Sequence, residues 1–225
     1  GIAYLHGKNI RERAMELISI AHPKFRPWLI DEAKKRGLIF RDQAFIPGKR
    51  GEYPVELETY RTTKTQLSIF IRPVKISDEP LLKDFFYSLS DISLHRRFLS
   101  YRKDMPHERL QDFVVIDYTK EVVLVVVVGD QENNFIAAVG QYGVDERTHT
   151  AEVAFAVRDD QQNQGIGYEL LKYLTYLARR QGLLGFTAEV LSDNQPMLHV
   201  FEKGGFDMKK KSDGGVYDLM LMFKE

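Results

Sequence analysis

Ala151-Glu152-Val153-Ala154-Phe155-Ala156-Val157-Arg158-Asp159-Asp160-Gln161-Gln162-Asn163-Gln164-Gly165-Ile166-Gly167-Tyr168-Glu169-Leu170-Leu171 is the stretch on which the fold turns. Its first residues, small and apolar, read as a strand. Its last residues open an amphipathic helix whose stripe, Ile166, Leu170, Leu171, Leu174, Leu177 and Ala178, runs on to Gln181. A polar loop with glycines at 165 and 167 joins the two. Glycine lets the backbone approach a ligand closely and turn its amides outward. The free N–H groups and positive dipole end of the helix then favour a phosphate or pyrophosphate. A dinucleotide fingerprint would need a further glycine where this chain has Leu170, and a Walker loop would need a Gly-Lys-Ser/Thr that is absent. The plain alternative is a strand-to-helix turn that merely needs small residues.

Outward from this unit the pattern predicts a mixed α/β domain with most of its sheet antiparallel. Upstream, Glu56–Arg61 and Gln66–Val74 read as two strands joined through Thr63-Lys64. A helix after Ser77 carries Leu81, Leu82, Phe85, Phe86 and Leu89, and a shorter one after Pro106 carries Leu110, Phe113 and Val114. Val122–Val128 is β-branched almost throughout, as a buried central strand is, and Phe135–Tyr142 follows the turn from Gly129 to Asn134. Downstream come strands at Gly185–Leu191 and Val216–Phe223, with a helix from Pro196 to Lys203. Asp91–Phe98, with His95, Arg96 and Arg97, and Lys209-Lys210-Lys211 read as solvated basic segments. At the other end, Ile10–Ala21 and Trp28–Arg36 are short helices. The breaker-rich Pro47-Gly48-Lys49-Arg50-Gly51 reads as a connector, placing a boundary between 1–53 and 54–225.

Composition narrows the function. The 225 residues hold 32 Lys and Arg against 32 Asp and Glu, without the basic excess of a nucleic-acid binder. No Cys is present, which excludes disulfides, thiolate metal sites and a cysteine nucleophile, and which fits a cytoplasmic setting. The apolar run Val122–Val128 falls far short of the roughly 20 residues of a membrane-spanning helix. His6 and His22 have no companion ligands nearby and read as structural, so no metal is expected. The opening Gly1-Ile2-Ala3-Tyr4, without Met, suggests a piece of a longer chain.

Gln162 to Gly167 matches the Q/R-x-x-G-x-G/A signature of the GNAT superfamily of N-acetyltransferases, on the strand-loop-helix where that family carries it. Asn194-Gln195-Pro196-Met197-Leu198 and Phe201-Glu202-Lys203-Gly204-Gly205-Phe206 resemble the family's second half. The resemblance implies a GNAT α/β fold, acetyl-CoA as acetyl donor and no metal. It implies pyrophosphate on the backbone of Gln162, Asn163, Gln164, Gly165, Ile166, Gly167 and Tyr168, and pantetheine along Phe155, Ala156 and Val157 and near Asn194. Asn194 could equally cap the helix that follows it. More narrowly, the segments Ile71–Leu82, Ile116-Asp117-Tyr118 and Ala151–Val157 resemble Pat-type protein lysine acetyltransferases.

A lysine amine, with a pKa of about 10.4, must lose a proton before it attacks a thioester. Glu152 shares a strand face with Ala154 and Ala156, where partial burial would suit it to be the base. Pat-type enzymes use a glutamate at this position. The sequence departs from the common pattern at Phe201, where many members place a Tyr thought to protonate the departing thiolate. Small-amine acetylation and an acetyl-CoA sensor domain therefore stay open beside the protein-lysine reading. The N-terminal Ala3–Lys8 and Ile20–Pro23 resemble the C-terminal end of acetyl-CoA hydrolase/transferase proteins, which implies a fusion to such a domain.

Overall fold

In the computed structural model the described residues are 2–39, 53–100, 105–114, 116, 118, 120–129 and 133–224. Most of the expected connector, Asp117 and the middle of the 129–134 turn lie outside them. The described strands are β1 (Thr59–Thr62), β2 (Ser68–Pro73), β3 (Glu121–Val128), β4 (Phe135–Asp145), β5 (Thr150–Val157), β6 (Gly185–Leu191), β7 (Asp207–Asp213) and β8 (Val216–Met222). They form one sheet in the order β1-β2-β3-β4-β5-β6-β8-β7, antiparallel throughout except for β5 beside β6. A parallel pair needs a crossover, and helix α6 (Ile166–Arg180) supplies it.

The apolar pattern of β3 explains the layering. Val122, Leu124 and Val126 face α6, while Val123 and Val125 face α3 (Glu79–Ser88) and α5 (His107–Val114), so the strand is buried on both sides. Gly140 on β4 brings α6 close. A Cβ there would stand 2.8 Å from Leu170 Cδ2 and 3.1 Å from Leu174 Cδ1. α7 (Gln195–Lys203) covers the same face further along, with Phe201 edge-on to Phe155 at 5.7 Å.

Three segments differ from the sequence-based expectation. Asp91–Phe98 is a helix, α4, capped by Ser90, whose side chain accepts from Ser93 N, and closed by Leu99 in the left-handed region. Leu94 is buried beneath it. The Lys209-Lys210-Lys211 run is exposed but belongs to β7, where charged residues on an edge strand discourage pairing with another chain. Val55–Leu57 forms a 3₁₀ turn rather than the start of β1.

The N-terminal helices α1 (Ile10–Ile20) and α2 (Arg26–Lys35) have a small core of their own, Met15, Ile18, Ile30, Ala33 and Ile39, with Ile76 packed against it. Glu16 Oε1 accepts from Lys8 Nζ at 2.6 Å and from Ser77 Oγ at 2.7 Å. The turn that receives them is held from inside by Arg72, whose guanidinium grips Asp78 through two bonds of 2.6 and 2.9 Å. No helix among the described residues is long and apolar enough to cross a membrane.

Gly185 opens β6, flanked by Thr150 and by Met222. A Cβ at Gly185 would lie 2.5 Å from the Leu221 carbonyl oxygen and 2.9 Å from Met222 Cα, so β8 would have to move. Gly185→Ala should cost about 1–3 kcal/mol. The check is a lower urea midpoint at unchanged slope; an unmoved midpoint contradicts this packing.

Candidate active site

β5 pairs with β4 over its whole length but with β6 only at Thr150, Ala151 and Glu152, opposite Gly185, Phe186 and Thr187. Beyond Glu152 the two strands part. From Val153 onward β5 has no strand on its β6 side among the described residues, and backbone groups on that side need another partner. Asn194 stands across the opening as the cap of α7. It is buried, and its Oδ1 accepts from Met197 N at 3.4 Å while the residue also lines the cavity.

Past Val157 the chain enters the glycine-bearing loop. Gln162 Nε2 donates to the Val157 carbonyl at 3.2 Å, fixing how the loop leaves the strand. Asn163 and Gly165 take left-handed backbone conformations, with φ of 60° and 87°. Gly165 caps α6 without a side chain, and the N–H groups from Asn163 to Tyr168 have no acceptor among the described residues. Several donors thus point the same way from the positive end of a four-turn helix, as an anion site requires.

The free strand edge, the loop and the start of α7 line one cavity of about 780 Å³, within the usual range for a small-molecule site. Phe155, Ala156, Val157, Gln162, Asn163, Gly165, Ile166, Gly167, Tyr168 and Asn194 line it together. Gln164 and Glu152 do not. Gln164 instead accepts from Thr65 Oγ1 through its carbonyl at 3.1 Å. Glu152 is solvent-exposed rather than partly buried, because its face of the strand opens beside the fork. Phe201, 2% exposed, is a core residue.

The structure brings to the cavity residues that the sequence did not tie to the loop. Lys64, in the turn between β1 and β2, lines the cavity, and its stem lies 3.3 Å from where a Gly165 Cβ would be. Arg61 holds that hairpin to α6 through Glu169 at 3.5 Å and the Tyr173 ring at 4.9 Å. Arg96 and Arg97 on α4 and Lys203 on α7 also line the cavity, so four cations face one lining carboxylate, Glu169. Arg96 reaches across to the Asp193 carbonyl at 3.4 Å, while its buried Nε has no partner among the described residues. Burial pulls the Arg97 pKa down to about 10, against the opposing pull of the Glu152 carboxylate, and the side chain remains charged at neutral pH. The signal that could have found α4 is a capping serine followed by Leu94 and Phe98 at helical spacing, a stripe too short to stand out. Nothing in the spacing tied Lys64 to the loop.

Comparison with known proteins agrees with this geometry. A family profile described as acetyltransferase (GNAT) family matches residues 86–206, and one described as acetyl-CoA hydrolase/transferase C-terminal domain matches residues 1–33. Over 144 residues the chain is 33% identical to acetyltransferase Pat of Mycolicibacterium smegmatis, covering 60% of this chain and 40% of that protein. Over 36 residues it is 61% identical to 4-hydroxybutyrate coenzyme A transferase of Clostridium kluyveri, 16% of this chain and 8% of that enzyme. Among solved structures, the GNAT domain of S. lividans PAT superposes with a TM-score of 0.70 at 27% identity, covering 76% of this chain and 100% of that domain. The chain therefore spans less than half the length of the Pat and transferase relatives.

One polar clamp joins α4 to the cavity loop. Asp159 accepts from Ser90 N at 2.9 Å, Ser90 Oγ at 2.8 Å and Ser93 Oγ at 2.8 Å. Burial works against its ionisation, but these bonds prevail and hold its carboxyl below the usual aspartate range. A depressed pKa contributes stability above the unfolded value of about 3.9 and loses it as pH falls through the folded one. Asp159→Asn should therefore cost about 1 kcal/mol or less at neutral pH, since the group is exposed, and nothing at about pH 2. Thermal melts at both pH values check this; a penalty that persists in acid would mean that its charge is not involved.

Proposed function

The chain belongs to the acetyltransferase (GNAT) family, and on that premise we propose that it transfers acetyl from acetyl-CoA to an amine, with a protein lysine as acceptor. The observation that carries the reading is the coincidence, in one cavity, of a one-sided strand and an uncapped glycine-bearing helix start. The loop amides and Lys64 would hold the pyrophosphate. The free edge of β5 would pair with the pantetheine amides as a neighbouring strand would, which needs no side chain and tolerates none in the gap. A backbone N–H near the fork would polarise the thioester carbonyl.

Glu152 sits in the last residue pair before the strands diverge, and is our candidate for the base that relieves the acceptor ammonium of its proton. Its exposure suits an acceptor arriving from solvent on a macromolecular surface. A second reading is favoured by two observations: Glu152 is not among the cavity-lining residues, and Phe201 offers no hydroxyl. A domain that binds acetyl-CoA and signals it to a neighbour would need neither. We also infer that the residues before the connector close a hydrolase/transferase-type domain in a longer polypeptide. The 1–33 match supports this, as do the exposed apolar side chains of Ile10, Leu17, Phe25 and Trp28, which leave that unit incompletely covered.

Gly165→Val should weaken acetyl-CoA binding by more than about tenfold, because its φ of 87° strains a β-branched residue and the added methyls meet Lys64 and Thr63. Unchanged affinity in calorimetry would remove the phosphate assignment. The acceptor is to be sought by mass spectrometry of lysines acetylated in the full-length parent chain and in candidate proteins. On that acceptor, Glu152→Gln should reduce single-turnover rate by about 100-fold or more near neutral pH, with less loss at higher pH as the amine deprotonates unaided. Equal rates would exclude Glu152 as base. Tight acetyl-CoA binding with no acetylated protein or small amine would favour the sensor reading.

A further inference from the structure

Arg97, on the last turn of α4, is unused by the scheme above. It lines the cavity from the face of β5 that carries Ala156. Its guanidinium carbon stands 5.0 Å from the centre of the Phe98 ring and 5.9 Å from that of Phe113, a weakly hydrated cation lodged against aromatic faces. The charges acting on it from the elements packed around it are Glu152 on β5, which opposes its positive charge, and Arg109 on α5, which adds to it. Arg109 stacks on the same Phe98 ring at 4.5 Å. Among the described residues no carboxylate or carbonyl hydrogen-bonds Arg97. A half-buried guanidinium in the cavity wall keeps donors available to an anion that enters beside it.

The position of Arg97 indicates which anion. The phosphate loop lies where β5 ends, at Gln162–Tyr168, whereas α4 is tied through Ser90 and Ser93 to Asp159 beyond that end and sets Arg97 about one turn further on, in the cavity wall with Phe155 and Ala156 and within the field of Glu152. A pantetheine arm laid along the free edge from loop to fork brings its sulfur to the Arg97 end. There the amine nitrogen bonds to the thioester carbon and its proton passes to the base. The tetrahedral adduct then re-forms the carbonyl, and the C–S bond breaks with its electron pair leaving on sulfur. Phe201 is edge-on to Phe155 and has no proton to give.

Resting on the reading of this cavity as a coenzyme A site, we propose that Arg97 is a catalytic residue that stabilises the departing coenzyme A sulfur as a thiolate, by charge rather than by proton donation. The net local charge from Arg97, Arg109 and Glu152 is positive, as this requires. The effect acts on bound coenzyme A itself, so it can be read without any acceptor amine.

The experiment titrates saturating coenzyme A bound to the full chain, following the ultraviolet absorbance of the thiolate. With the wild type, the thiolate-to-thiol ratio at pH 7 should exceed that of free coenzyme A by at least about tenfold, the low end of what a nearby cation does. Arg97→Met should return it to within about twofold of the free ligand, and Arg97→Lys should keep part of the gain. Glu152→Gln should raise it further by removing the opposing charge. If Arg97→Met does not melt cooperatively, Arg97→Gln takes its place. Bound coenzyme A that titrates like free coenzyme A, or identically in wild type and the Met or Gln variant, overturns the proposal and leaves the cavity assignment standing. Failure of the wild type to bind coenzyme A or acetyl-CoA removes both.

Discussion

Beyond the Glu152–Thr187 pair, β5 has a strand neighbour on one side only, and the arrangement around it keeps that edge open without losing the strand. An unpaired edge in the middle of a sheet is doubly hazardous, since it forfeits hydrogen bonds and invites pairing with other chains. Here β4 holds β5 through every residue, and Phe201 and the α6 stripe pin its odd-numbered side chains from below. β6 is held in turn by full pairing with β8, where Gly185 leaves no room for a side chain. The opening lies between two firmly held edges, recessed within the cavity, where a peptide-like ligand can complete the ladder.

The same strand aims the charges. Running straight from β5 through the loop into α6, the chain sets the positive end of a long helix at the mouth of the opening, with no side-chain cap to quench it. Lys64 arrives from the β1–β2 turn because Arg61, Glu169 and Tyr173 moor that hairpin to α6. Arg96 and Arg97 arrive because Asp159 ties the start of α4 to the end of the same strand. Four cations against one lining carboxylate make the cavity an electrostatic complement to a polyanionic ligand in a chain whose overall charge is balanced.

The N-terminal unit stands apart from this economy of contacts. Its five-residue core is separate from the two layers of the sheet, and it meets them through Ile76 and the Glu16–Ser77 hydrogen bond. That interface adjoins the buried Arg72–Asp78 pair, whose two-point geometry resists reshaping.

The sequence carried a great deal. The run Val122–Val128 announced a strand buried on both faces, the α6 stripe announced its own packing, and Gln162–Gly167 marked the glycine-bearing loop that lines the cavity. Each of these is encoded by residues adjacent in the chain, through periodicity and backbone freedom. The α4 helix was missed because its apolar stripe is only Leu94 and Phe98, too short to stand out, and β7 was missed because an edge strand needs no apolar alternation. Composition could balance 32 cations against 32 anions but could not say that Lys64, Arg96, Arg97 and Lys203 converge. Local pattern by itself determined most of the strands and helices and the glycine-bearing loop that opens α6. Tertiary structure alone decided that β5 and β6 part after Glu152, that this carboxylate faces solvent, and that an arginine of α4 lines the cavity with Phe155 and Ala156, because all three depend on how side chains far apart in sequence pack across the sheet.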